Sequence, residues 1–269
     1  MAVWRLIVAY DGTDWSGWQR QDNAPTLQAA IEDALTTLFG GERIVLHASG
    51  RTDAGVHAYA QVATFRTDVA RDPNKMRLGL NTMLPKTIAA LDLDIVADSF
   101  HARFTPHRKT YRYVILDRRD RSPFLDRRAF HVRPPFDWGA LTAALPAVVG
   151  THDFTSFRGA GCNARSPVRT VSRAEHIAHG EEHWLEFEGA GFLRYQIRRM
   201  VGTLLEIGRG RRPWTAMADV VAARDKSECG RTAPPDGLYL VRVEYQTPAS
   251  AAEAPRIDGS TVPAGAKST

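Results

Sequence analysis

The chain has 269 residues, 43% of them hydrophobic, and a net charge of +5, which is enough apolar content for a real core and argues against global disorder. No apolar run approaches the length of a membrane span, and the N-terminus has no basic head or long apolar stretch of a signal peptide, so a membrane protein is excluded and a cytoplasmic location is expected. The two cysteines, Cys162 and Cys229, stand alone without partners at ligand spacing, so neither a zinc site nor a disulfide is expected.

Residues 3–10 alternate as a strand and stop at the Asp11-Gly12 turn signal. Thr26 is suited to cap a helix, after which Leu27, Ile31, Ala34, Leu35 and Leu38 keep helical spacing until Gly40-Gly41 ends it. Residues 43–49 and 58–66 read as strands flanking a loop over 50–57. A helix is predicted over 73–83 and a strand over 88–97. In the second half, 109–116, 169–179, 183–189 and 238–245 read as strands and 137–149 as a helix. The 192–208 segment is amphipathic, with Leu193, Ile197, Met200, Val201, Leu204 and Leu205 in one stripe. Too few short crossovers occur for a doubly wound sheet. The pattern predicts an α+β fold of two similar-sized lobes, 1–104 and 105–246, built on antiparallel or mixed sheets with flanking helices. Residues 247–269 are rich in Ala, Pro, Ser, Thr and Gly and read as a disordered tail. Trp4, Trp138, Trp184 and Trp214 are most simply core, whereas Trp18 suits either core packing or contact with a bound partner.

Charge is unevenly spread. Residues 1–104 carry 10 Lys/Arg against 12 Asp/Glu, while 101–133 alone hold ten basic and three acidic side chains. A second basic cluster comprises Arg194, Arg198, Arg199, Arg209, Arg211 and Arg212. This asymmetry suits a polyanionic partner such as a nucleic acid, although an Arg-rich solvated surface looks the same in sequence.

The stretch with most chemical content is Gly50-Arg51-Thr52-Asp53-Ala54-Gly55-Val56-His57-Ala58. Glycines at both ends permit unusual backbone angles and close approach, and small neighbours leave Asp53 accessible. A carboxylate so presented can act as nucleophile or base, or it can simply cap backbone N–H groups of a turn.

Gly50–Ala58 resembles, without a gap, the catalytic loop of the TruA family of pseudouridine synthases. Further stretches follow in the family's order: Tyr10–Thr13 with Gly17-Trp18-Gln19, Phe100–Phe104, Lys109–Tyr113, His152–Phe157, Ser166–Thr170, and Phe192 through Arg198. The resemblance spans about residues 3–245. It implies a pseudouridine synthase fold with the active-site cleft between the lobes, and an isomerase that acts on tRNA at positions 38, 39 and 40 of the anticodon arm. It implies no cofactor, no metal and a homodimer. Asp53 would be the catalytic aspartate, Tyr111 would lie against the target uracil, Arg198 would pair with Asp53, and Arg51 would help extrude the target nucleotide. Arg103, Arg108, Lys109, Arg169, Arg194 and Arg199 are the candidate RNA contacts.

On residue types alone, Tyr111 suits core packing, sharing a strand face with Tyr113, and Arg198 suits a snorkelling position at the edge of the helix stripe. Helical geometry puts Arg198 where it can be half-buried and Arg199 on the far side, toward solvent or phosphate. The Arg199 position is commonly Asn in the family. Two rival readings remain open: a non-catalytic RNA-binding module, and an Asp-dependent nucleoside hydrolase, which would need a second carboxylate.

Overall fold

The computed structural model describes residues 1–69 and 71–246; the tail expected at 247–269 lies outside them. The first half of the chain supplies β1 (Ala2–Tyr10), α1 (Leu27–Leu38), β2 (His47–Ala48), β3 (His57–Thr67), α2 (Pro73–Met83) and β4 (Ile88–Val96). The second supplies β5 (His107–Asp117), β6 (Phe130–Val132), α3 (Trp138–Ala144), β7 (Gly150–Asp153), β8 (Val168–His179), β9 (Glu182–Gly189), α4 (Gln196–Gly208), α5 (Ala216–Ala223) and β10 (Leu238–Tyr245). The fold is α+β on a mixed, mainly antiparallel sheet.

Local chemistry explains most boundaries. The Thr26 side chain accepts from the Ala29 N–H and starts α1; Asp72 does the same for Lys75 and starts α2, with Pro73 at the first helical position. Asp137 caps α3, which tightens into a 3₁₀ turn over Leu145–Val148 where Pro146 removes a donor. The strand predicted over 43–49 shrinks to two residues. Upstream of it the Ile44 N–H donates to Thr36 Oγ1 (3.1 Å) and the Leu46 N–H to Glu32 Oε1 (2.9 Å), so side chains of α1 replace a strand ladder. The helix predicted from 192 begins only at Gln196, because Tyr195 sits in the left-handed region at φ +63°. The sequence reading did not include α5, β6 or β7.

Among the described residues, the strands form one sheet in the order β4-β1-β3-β10-β5-β9-β8-β7, with β2 beside β3 and β6 beside β5. The strands of the first half thus lie on one side of β10 and those of the second on the other. β10 runs parallel to β3 and antiparallel to β5, which makes the sheet continuous across both halves. The largest apolar cluster joins one sheet face to the helices, with Trp4, Trp18, Phe65, Phe154, Phe157 and Phe187 almost wholly buried. A small second cluster of Val114, Trp184 and Tyr239 lies apart from it. Trp18 packs as core against Tyr10. Trp214, expected in the core, is 54% exposed: it precedes α5 in a Pro-containing turn outside the apolar cluster.

Candidate active site

Sheet register assembles the site. Leu240 of β10 is paired with Ala58 at the start of β3 and with Tyr111 of β5. Two inter-strand steps therefore separate Tyr111 from the strand that follows the Asp53 loop, about 10 Å of sheet. The intervening side chain is an aliphatic one.

The loop over 50–56 is fastened from several directions. Thr52 is buried, and its hydroxyl shares a hydrogen bond with the Tyr10 hydroxyl (2.9 Å). The Trp18 N–H donates to the Thr52 carbonyl (3.1 Å) and the Gly55 N–H to the Trp15 carbonyl (3.3 Å). Gly55 has φ +78°, where a side chain would be strained, and a Cβ there would also meet Pro235. His57 closes the end of the loop: its Nδ1 accepts from the Gly12 N–H (3.1 Å), which leaves Nε2 to donate to the carbonyls of Arg127 and Asp236, each at 3.1 Å. Burial holds this imidazole below its usual range, consistent with the neutral form.

Lys109 does not lie on an RNA-facing surface. Its side chain is buried, its Nζ donates to the Ser49 carbonyl (2.6 Å), and a Cβ on Gly50 would come within 2.7 Å of that nitrogen. Burial, with the nearby Arg103 charge, pushes the ammonium down to about 8. Lys109 therefore supports the Asp53 loop from beneath.

Asp53 is three-quarters buried and faces Arg198, whose Nη1 is 3.5 Å from Oδ2. Arg198 is itself held by α4 and the 231–237 loop: its Nε donates to the Ala233 carbonyl (2.8 Å) and its own carbonyl accepts from the Ala233 N–H (2.9 Å). The Tyr113 hydroxyl donates to the Pro234 carbonyl (3.0 Å) and fixes the same loop. Burial raises the Asp53 carboxyl above its usual range; Arg198 and then Arg194 pull the other way without cancelling it. A carboxylate whose charge is incompletely compensated is the more reactive one.

Tyr111 is buried, edge-on to Phe192 with ring centroids 5.5 Å apart. Its hydroxyl is held protonated by burial first, and then by the neighbouring Tyr10 and Asp53. Arg51 is exposed at the loop rim and makes no hydrogen bond or ion pair with a described residue.

The remaining candidates divide by environment. Arg103 is exposed and lies over the Phe104 ring, itself 72% exposed. Arg108 is exposed and 3.5 Å from Glu188, and Arg169 folds back on the carbonyls of Ser166 and Val168. Arg194 is exposed beside Tyr195. Arg199 does not face solvent as helical geometry suggested. Its two terminal nitrogens donate to the carbonyls of Arg158 (2.9 Å) and Lys226 (2.8 Å), tying two loops to α4. The structural partners of the site that the sequence reading omitted, Thr52 with Tyr10 and the 231–237 loop, carried only a weak signal. That signal was the Pro234-Pro235-Asp236-Gly237 turn.

A partly buried carboxylate paired with a guanidinium, on a loop beside a mixed sheet common to both halves of the chain, fits the pseudouridine synthase class. The chain belongs to the tRNA pseudouridine synthase family, whose model matches residues 6–105 and 144–246. It is 43% identical over 248 residues to tRNA pseudouridine synthase A of Streptococcus equi subsp. equi, covering 91% of this chain and 100% of the relative. It is 42% identical over 247 residues to that of Streptococcus mutans (91% and 99%), and 42% identical over 249 residues to that of Rhodopseudomonas palustris (91% and 100%). Among the described residues no cluster of three or more His, Cys, Asp or Glu could hold a metal ion, and no helix is long and apolar enough to cross a membrane.

Proposed function

We propose that this chain isomerises uridine to pseudouridine in tRNA, at positions 38, 39 and 40 of the anticodon arm, with Asp53 as the catalytic carboxylate. The observation that carries the reading is the pairing of Asp53 with Arg198 beside Tyr111, within a family of tRNA pseudouridine synthases.

The reaction breaks the N1–C1′ bond, turns the base and joins C5 to C1′. The C5 hydrogen leaves as a proton and N1 gains one, so no redox partner or external atom enters. Asp53 supplies the negative charge at the sugar and base, and Arg198 keeps that charge available. Tyr111 lies against the uracil and serves the proton transfer at C5. Arg51, free at the loop rim, enters the space left by the everted nucleotide. The exposed Arg103, Arg108 and Arg194 and the half-buried Arg169 supply phosphate contacts, whereas Lys109 and Arg199 serve the loops they hold. The two lobes, 1–104 and 105–246, flank this cleft. The working enzyme is a cytoplasmic homodimer in which one tRNA contacts both subunits.

A hydrolase reading is disfavoured by the neighbours of Asp53. Among the described hydrogen bonds and ion pairs the Asp53 carboxylate is joined to Arg198 and to no second carboxylate that could serve as partner acid or base. The deciding assay is release of tritium from C5-labelled uridine in tRNA. The wild type should release it and retain the base as pseudouridine, while Asp53→Asn should abolish release with tRNA affinity largely intact. Turnover by Asp53→Asn would refute the assignment, and free uracil among the products would favour hydrolysis.

A further inference from the structure

The backbone turn just before α4 is unusual. Tyr195 is a non-glycine residue at φ +63°, a region that L side chains occupy only when their surroundings hold them there. The surroundings do so here. The Leu193 N–H donates to Gln196 Oε1 (2.8 Å) and the Gln196 N–H to the Leu193 carbonyl (3.1 Å), with both side chains buried. The Arg199 N–H donates to the Tyr195 carbonyl (2.9 Å), and the Gly159 N–H donates to the Arg194 carbonyl (2.8 Å).

This turn aims the Tyr195 ring between two cations. The ring centroid is 5.0 Å from the Arg198 guanidinium carbon and 4.9 Å from that of Arg194, both within cation–π range. The Tyr195 hydroxyl also accepts from Arg194 Nη2 (3.2 Å). The ring is pressed from the other side by the loop at Gly159, where a Cβ would lie 2.5 Å from Tyr195 Cδ2 and 2.8 Å from the Arg194 carbonyl oxygen. A helical φ at residue 195 would swing the ring away from both guanidinium groups.

We infer that Tyr195 is a positioning residue: its strained turn holds Arg198 and Arg194 in the places from which their charges act on Asp53. The inference rests on the proposed role of Asp53. Arg198 and Arg194 are the described cations that favour the ionised carboxylate. The other groups facing this site are Tyr111 from β5, Tyr10 from β1, Tyr113 and Asp236 beside Arg198, and Arg51 on the loop itself. Of these, none is attached to the turn that Tyr195 forms.

The test is the pH dependence of single-turnover tritium release from C5-labelled tRNA, with melting and tRNA binding measured alongside. Tyr195→Gly is informative because glycine takes the left-handed conformation without strain, so the fold is kept. The acid limb of the profile should move up by about one pH unit, with a rate loss of about tenfold on that limb that is recovered at higher pH, and binding should change little. Tyr195→Phe keeps the ring face and should restore most of the shift. Gly159→Ala, acting from a separate loop, should reproduce the Tyr195→Gly profile. An acid limb unmoved in Tyr195→Gly, or a rate loss equal at every pH, overturns the inference. Activity in Asp53→Asn would instead bring down the underlying catalytic assignment, which separates the two failures.

Discussion

Lys109→Met should make this protein more stable and less active. In the folded chain the ammonium is buried and pushed down from 10.5 to about 8, mainly by loss of solvation. Below pH 8 folding therefore carries a penalty for holding the charge, about 3 kcal/mol for a difference of this size. Because the folded state gives up its proton first, this penalty fades as pH rises from about 8 to 10.5. Methionine removes the charge and leaves the Ser49 carbonyl without its donor, a loss of about 1–2 kcal/mol. The net at pH 7 is a gain of about 1–2 kcal/mol, or about 3–6 °C in Tm. At pH 10 the advantage should vanish or reverse. Activity should fall about 10- to 100-fold, because the Asp53 loop loses the tether at Ser49 and small displacements of a reacting group are expensive. The salt dependence of tRNA binding should stay unchanged, since the amine meets no phosphate. Urea or thermal unfolding at pH 7 and pH 10 reads the first part, and tritium release the second. A variant less stable than wild type at pH 7, with an undiminished pH dependence, would refute the reasoning.

Arg51→Ala should slow turnover more than it weakens equilibrium tRNA binding, because the side chain acts on the everted nucleotide; equal losses would mark a plain phosphate contact. Arg199→Ala should lower stability by about 1–3 kcal/mol, since two loop carbonyls lose their donor, with the salt slope of binding unaltered; a slope reduced by about one would return Arg199 to the RNA surface. His57→Phe should destabilise the chain by about 2–4 kcal/mol, because the Gly12 N–H and two carbonyls lose their partner, and chemical denaturation measures this directly.

Periodicity served where burial alone decides conformation. The strands β1, β3, β4, β5, β8, β9 and β10 and the cap Thr26 follow from spacing and residue type, and the structure has them within a few residues. It failed where tertiary partners took over. Glu32 and Thr36 reach across to satisfy the 44–46 backbone, so an apolar run that reads as a strand pairs only at His47-Ala48. The turn at Tyr195 is enforced by Gln196 and Gly159, neither of which announces a left-handed residue. The candidate site was legible largely through family resemblance: Asp53, Arg198 and Tyr111 converge, although an aspartate in a glycine-flanked loop, a helix-edge arginine and a strand tyrosine each suit a bland structural role. Charge pattern misled most at Lys109 and Arg199. A basic residue in a basic stretch counts toward an RNA surface in sequence, yet side-chain direction sent one under the Asp53 loop and the other onto backbone carbonyls.

Among the described residues, the last strand in the chain sits in the middle of the sheet. β10 joins β3 to β5, so until residues 238–245 leave the ribosome the Asp53 loop and Tyr111 belong to two separate sheet fragments with unpaired inner edges. Catalytic competence therefore arrives in a single late step of long-range strand insertion, which makes folding slow for the chain's size and leaves nascent or C-terminally clipped molecules inert.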